Sequence, residues 1–378
     1  MTVLSQTKCI EASVAAGRPA PTRSVFRLLA SAAIAASMAT GALAQSAYEK
    51  LVAASRAEMD AKGGLLKFAL DWPESDTKAV IPGFMKEYPF VKKVDYIREN
   101  GVGPFGRYLL SIQQGDAVPY DFMHVAEEYE GQYLSTGAFI KPLFDYAELD
   151  KSIPADWPHI DEAAKDPRGY YLSISAVVRG IAWNTRMVPP ANEPKSWADC
   201  LDPKWKGKIV VDSRNKLQAF QFDPVERPRQ LAWIKGLIEN KVTFIDGQAS
   251  VLQRVAAGEF PIACAVNFQT TQRMIDEGTK VLKFGLMDPV PLEVGSRVFV
   301  GKWSKAPATT QLFTLWVATA GQSLLDKTAY RGFPDEPGNR LYEAAHGKRI
   351  ISCPPECLAR LEEFEKEWSS LIGVSTAK

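Results

Sequence analysis

Histidine is scarce in this chain, with three in 378 residues. The common hydrolase and nucleotide signatures are missing too. There is no G-x-S-x-G, no H-E-x-x-H, no phosphate-binding loop and no cysteine–histidine set at zinc-ligand spacing. Few general bases of the usual kind are left for a secreted enzyme, and nothing marks a catalytic carboxylate pair. An excess of one charge is also absent. Lys plus Arg number 45 against 44 Asp plus Glu, so the whole molecule carries no signal for nucleic acid or an anionic membrane. Long low-complexity tracts are missing, which argues against disorder.

What is present is the composition of a globular protein, 46% hydrophobic and 10% aromatic. Its length suits two domains or lobes. Near the N-terminus, Lys8, Arg18, Arg23 and Arg27 precede an Ala-rich run from Leu28 to Ala44. The run ends Ala42-Leu43-Ala44-Gln45, an A-x-A cleavage pattern. A membrane anchor is the alternative, but the run falls short of the roughly 20 strongly apolar residues a spanning helix needs. Residues 1–44 are therefore expected to be a signal peptide. No adjacent arginine pair precedes the run and no cysteine follows the site, which favours general export over the twin-arginine route and over lipidation.

Four cysteines lie beyond Ala44: Cys200, Cys264, Cys353 and Cys357. An oxidising compartment permits three pairings. Cys353 and Cys357 could close a small local loop or remain thiols. Cys200 and Cys264 could be small buried hydrophobes.

From Ala47 the chain alternates helix and strand. Strands are expected at Leu65–Leu70, Val91–Ile97 and Tyr120–Val125, with helices between them. After a Pro- and Asp-rich stretch, Tyr171–Val178 and Gly180–Trp183 read as strands. A second alternating unit follows from Lys208 to Phe284. Leu292–Val300 reads as a longer strand, Pro307–Ala320 as an apolar helix, and the C-terminus as an amphipathic helix from Pro355 to Leu371. The pattern predicts an α/β protein with parallel pairing and two lobes around a cleft, with ligands held beyond the carboxyl ends of the strands.

The stretch Ser196-Trp197-Ala198-Asp199-Cys200-Leu201-Asp202-Pro203-Lys204-Trp205-Lys206-Gly207-Lys208-Ile209 resembles the "S-W-x-D-L-x-D-P-K-W-K-G-K-I" segment of family 1 extracellular solute-binding proteins of bacterial ABC transporters. That family includes ferric-ion, thiamine, polyamine and phosphonate binders. Arg179–Thr185, Ala256–Ile262 and Ala306-Pro307 are similar to further family segments in the same order. Physically the long stretch is a turn packed down by two tryptophans, a structural staple rather than a ligand contact. The resemblance implies a two-lobed type II periplasmic binding fold, with hinges near Ser175–Arg179 and Asp288–Val294. It places one lobe at 45–176 plus 289–378 with the C-terminal helices, and the other at 177–288. It implies a monomeric periplasmic receptor that takes a small-molecule ligand, hands it to an inner-membrane permease, and needs no cofactor and no nucleic acid.

Strand ends nominate the site: Trp72, Glu74 and Ser75 after the first strand, Arg98 after the second, His124 at the third, and Arg179 in the hinge. Asp212, Ser213 and Arg214 follow the Lys208 strand, and Asn267, Gln269 and Thr270 follow the Phe260 strand. Ser213 at a helix start with Arg214 beside it would suit a carboxylate or phosphonate. Against this stands the plainer reading of a helix cap and a solvated arginine. Arg98 and Arg179 could equally be salt-bridge residues, His124 a packed histidine, and Trp72 either a stacking surface or a lobe-surface aromatic. A cation such as a polyamine would use Trp72, Glu74 and Asp212 as an aromatic–carboxylate clamp. The family's ferric binders carry a Tyr-Tyr pair in the second lobe and a His after the first strand. Here Asn267-Phe268-Gln269 and Trp72 stand at those places, which points away from iron and from any metal site.

Overall fold

The computed structural model describes residues 45–99, 102–125, 127–213, 217–334, 336–352 and 360–373. The expected leader, Arg214, Cys353 and Cys357 lie outside these residues.

Eleven strands form one continuous, curled sheet: β1 (Leu65–Leu70), β2 (Lys93–Arg98), β3 (Phe122–His124), β4 (Phe139–Ile140), β5 (Ser173–Asn184), β6 (Ile209–Asp212), β7 (Thr243–Ile245), β8 (Ile262–Asn267), β9 (Leu282–Gly285), β10 (Val290–Gly301) and β11 (Ile350–Ser352). The order is β2-β1-β3-β10-β5-β8-β6-β7, with β4 and β11 on β10 and β9 on β5. β1 pairs in parallel with β2 and β3, and β6 with β7 and β8. Helices cover both faces of each parallel group. This is why Leu66, Phe68, Ala69 and Leu70, and all of β6, are buried rather than alternating.

β5 and β10 join the two halves. The C-terminal end of β10 pairs with β3 and β4 in the first lobe. Its middle runs antiparallel to the first half of β5, through pairs such as Leu292 with Val178 and Arg297 with Ser173. The second half of β5 pairs with β8 and β9 in the second lobe. The two strands read separately from the sequence are thus one twelve-residue strand that changes partners near Gly180, where the β5–β8 register shifts. Gly180 is required there: a Cβ would lie 2.3 Å from the Gly285 carbonyl oxygen. The fold is therefore the two-lobed α/β architecture expected, with β5 and β10 crossing between its halves.

Each lobe has its own core. In the first, Phe68, Phe84, Phe122 and Phe313 pack ring on ring. The buried helix Pro307–Ala318, capped by the Glu58 carboxylate on the amides of Ala308 and Thr309, forms its back wall. In the second lobe, Trp183, Ile209, Trp233 and Leu237 form the core. The tryptophan-rich stretch works as a staple. Trp197 donates to the Pro289 carbonyl and Trp233 to the Trp197 carbonyl, while Asp202 caps the turn at Lys204.

Two readings change. Cys200 and Cys264 are not separate small hydrophobes but a disulfide, with Cα atoms 6.4 Å apart, that ties the staple to the second-lobe sheet. The last helix, Leu361–Ile372, was expected on the first lobe. Instead its Trp368 is buried in the second-lobe core against Phe244 and donates to the Ser213 carbonyl.

Candidate ligand-binding cleft

A cavity of 280 Å³ opens where the lobes meet, lined by Asp71, His124, Val177, Arg179, Asn267, Gln269, Glu293, Val294, Gly295, Ser296, Arg297 and Arg331. Its floor is the β5–β10 crossing. Asp71 enters from the end of β1 and His124 from the end of β3. Asn267 and Gln269 come from the end of β8 and the start of helix Phe268–Asp276. The carboxyl ends of three strands thus converge, as an open α/β sheet dictates.

The polar groups are tightly organised. Arg179 reaches across the hinge to hold both Glu293 carboxylate oxygens, with Nε to Oε1 at 3.2 Å, and donates its remaining arm to the Asn267 side chain. The Asn267 side chain is turned to Arg179, and the helix that follows has no side-chain cap at its start. The Asn267 amide N–H is fixed by Gln248 at 3.0 Å, and Gln248 donates to Asp212 at 2.9 Å. On the other wall, Ser296 donates to Asp71 at 2.9 Å and accepts from Trp72 at 2.6 Å and from Ser175 at 3.1 Å. Burial opposes ionisation of Asp71. His124, Arg331 and the Ser296 hydroxyl outweigh it and hold the carboxyl below the usual aspartate range. Arg297 is buried beside Glu130, at 3.4 Å, and over the Tyr171 ring.

Of the residues nominated from the sequence, His124, Arg179, Asn267 and Gln269 line the cavity. Trp72 does not. It is 1% exposed and joins the first-lobe core, so no ring face is offered to a ligand. Glu74 and Ser75 are exposed in the first turn of helix Glu74–Glu87, with Ser75 bonded to Asp76. Arg98 is exposed and reaches only the Asp71 carbonyl, at 3.4 Å. Asp212 is buried and supports the cleft through Gln248 instead of lining it. The Ser213 carbonyl accepts from Trp368, the next described helix begins at Gln218, and Arg214 lies outside the described residues. Thr270 is half-buried and outside the lining. The aromatic–carboxylate clamp of Trp72, Glu74 and Asp212 is therefore not assembled.

Sequence reasoning missed Asp71, Glu293, Ser296, Arg297 and Arg331. Asp71 is the immediate neighbour of a residue it chose, displaced by one position of strand phase. Glu293, Ser296 and Arg297 sit on a crossing strand, where strand-end reasoning does not look. Arg331 follows helix Gln322–Ala329, a helix that the sequence reading did not include.

The fold is two-lobed, with the cleft at the junction of the lobes. Comparisons agree. Residues 127–225 match the family model described as "Bacterial extracellular solute-binding protein". Iron-bound HitA from Pseudomonas aeruginosa superposes with a TM-score of 0.61 at 16% identity, covering 81% of this chain and 99% of that one. The substrate binding protein of an ABC transporter from Agrobacterium tumefaciens gives 0.62 at 15%, covering 82% and 96%. A curated Fe(3+)-binding periplasmic protein of Serratia marcescens is 27% identical over 190 residues, 49% of this chain and 52% of that protein. The chain thus spans about half the length of that relative. A 31% match over 130 residues to fast-type myosin-binding protein C of Homo sapiens spans 10% of that much longer protein. The matches bear out the resemblance to the solute-binding proteins of bacterial ABC transporters.

Proposed function

We propose that this protein is the periplasmic receptor of an ABC importer, closing its lobes on a small organic anion or zwitterion and delivering it to a permease. The observation that carries this reading is the lining of the cleft, where the guanidiniums of Arg179, Arg297 and Arg331, each also ion-paired with a carboxylate, gather donors that suit an acid. A cavity of 280 Å³ lies at the small end of ligand sites, which suits a compact metabolite. The uncapped start of helix Phe268–Asp276 opens beside Asn267 and adds partial positive charge on the same side. The hinge supplied by β5 and β10 is what closure requires. We read the protein as a binder, not a catalyst. The matches to solute-binding proteins support that reading.

A second reading, ferric ion, is favoured by the iron-binding relatives among the matches. The cleft supports it less. Among the described residues its lining holds no tyrosine, Glu293 is held by Arg179, and Asp71 accepts from Ser296. Titration calorimetry with carboxylates, phosphonates, amino acids, polyamines and ferric citrate separates the two. Saturable binding of an acid that Arg179→Met weakens tenfold or more supports the anion reading. Binding of iron alone, unchanged in Arg179→Met, overturns it.

A further inference from the structure

Helix Phe268–Asp276 belongs to the second lobe, yet one of its faces is directed at the first. Gln269, Arg273 and Asp276 recur at i, i+4 and i+7, so they share a stripe along the helix. Gln269 lines the cleft. One turn further, Arg273 pairs with Asp76 on helix Glu74–Glu87 of the first lobe. At the far end, the Asp276 carboxylate accepts from Tyr330 at 2.9 Å and Arg340 at 3.0 Å. The Tyr330 ring lies between Arg273 and Arg340, 5.9 Å and 4.4 Å from their guanidiniums. A helix face built for permanent burial would be apolar. This one meets the other lobe through ion pairs, whose charges water can take over when the surfaces part.

Asp76 is the pivot of this arrangement. It is fully buried, and it accepts from Arg331 at 3.2 Å as well as from Arg273. Arg331 also stands 3.9 Å from Asp71, inside the cleft. An unbroken ionic chain therefore runs from the second-lobe helix through Asp76 and Arg331 to a cleft carboxylate.

We infer that the Gln269–Arg273–Asp276 stripe is the reversible seam along which the lobes close, and that Asp76 is a positioning residue that couples the seam to the cleft. This rests on the hinge-closure reading above. Two arginines converge on one buried carboxylate, so removing its charge leaves Arg273 and Arg331 facing each other and drives the seam apart. The test needs no ligand. Spin labels carried on unnatural amino acids at exposed Lys93 and Lys206 report the separation of the lobes by pulsed dipolar spectroscopy. Asp76→Asn is expected to raise the ratio of long to short separations by about tenfold or more, within the usual range of intersite coupling. Asp76→Glu should retain most of the short population. Arg273→Gln, added to Asp76→Asn, should restore part of it, a reversal that simple loss of packing at Asp76 would not give. Added salt should lengthen the wild-type distance and do little in the Asp76→Asn protein. A wild-type protein that responds to salt while Asp76→Asn matches it throughout would overturn the seam alone. A single separation in the wild type, unmoved by salt, would overturn both the seam and the hinge reading.

Discussion

Replacing Cys200 and Cys264 together by alanine should destabilise the protein through its unfolded state. The bridge joins residues 64 apart in sequence. Closing a loop of that size removes chain entropy worth about 4 kcal/mol at 25 °C. Both cysteines are fully buried, one in the staple and one in the middle of β8, so the native state also loses a little packing. For a chain of this length, the loss corresponds to a melting point lower by roughly 6 °C. Urea unfolding of the oxidised protein, the reduced protein and the double alanine variant would measure it, with peptide mapping after thiol alkylation to show which cysteines are linked. Reduced and variant proteins should have similar midpoints, both well below the oxidised form. Alkylation of Cys200 and Cys264 in the untreated native protein, or equal midpoints in all three samples, would refute the reasoning.

Gly180→Ala should destabilise by about 1–3 kcal/mol, because its methyl group would press on the Gly285 carbonyl and the Phe284 ring; chemical denaturation measures this. Trp72→Phe should lose about 1 kcal/mol with the bond to Ser296, and should leave ligand selectivity unchanged because the ring does not face the cleft; a shifted selectivity in calorimetry would count against the placement. Asp71 contributes stability of definite sign with pH. Its folded-state value is depressed, so the contribution is present above the usual aspartate range near pH 4 and is lost as pH falls through the lower folded value. Asp71→Asn should flatten the acid limb of the stability curve below pH 4, and an unaltered limb would contradict the ionised carboxylate.

Much of the architecture was legible because periodicity carries it. Short apolar runs between helical patterns marked β1, β6 and β8, and Gly258 stopped its helix where expected, in the left-handed conformation. Partner changes within one strand were not legible, since β5 looks locally like two strands and only its tertiary pairings make it one. The disulfide could not be read either, because spacing does not report which cysteines converge. Strand ends nominated His124, Asn267 and Gln269, and the crossing strands Arg179, all of which line the candidate cleft. Trp72 failed by a single step. Side chains alternate along an extended chain, so Asp71 turns to the cleft and Trp72 into the core. Arg331 is brought to Asp71 by a fold contact across some 260 residues, for which local pattern holds no signal.

The most direct test of the receptor assignment is the stability increment of the purified protein across a panel of carboxylates, phosphonates, amino acids, polyamines, thiamine and ferric ion. A true ligand at about 100 times its dissociation constant adds roughly 2.7 kcal/mol. The account predicts a clear rise in melting temperature with an anionic or zwitterionic compound, abolished in Arg179→Met. A rise confined to polyamines, thiamine or iron, or one that survives in Arg179→Met, would contradict it.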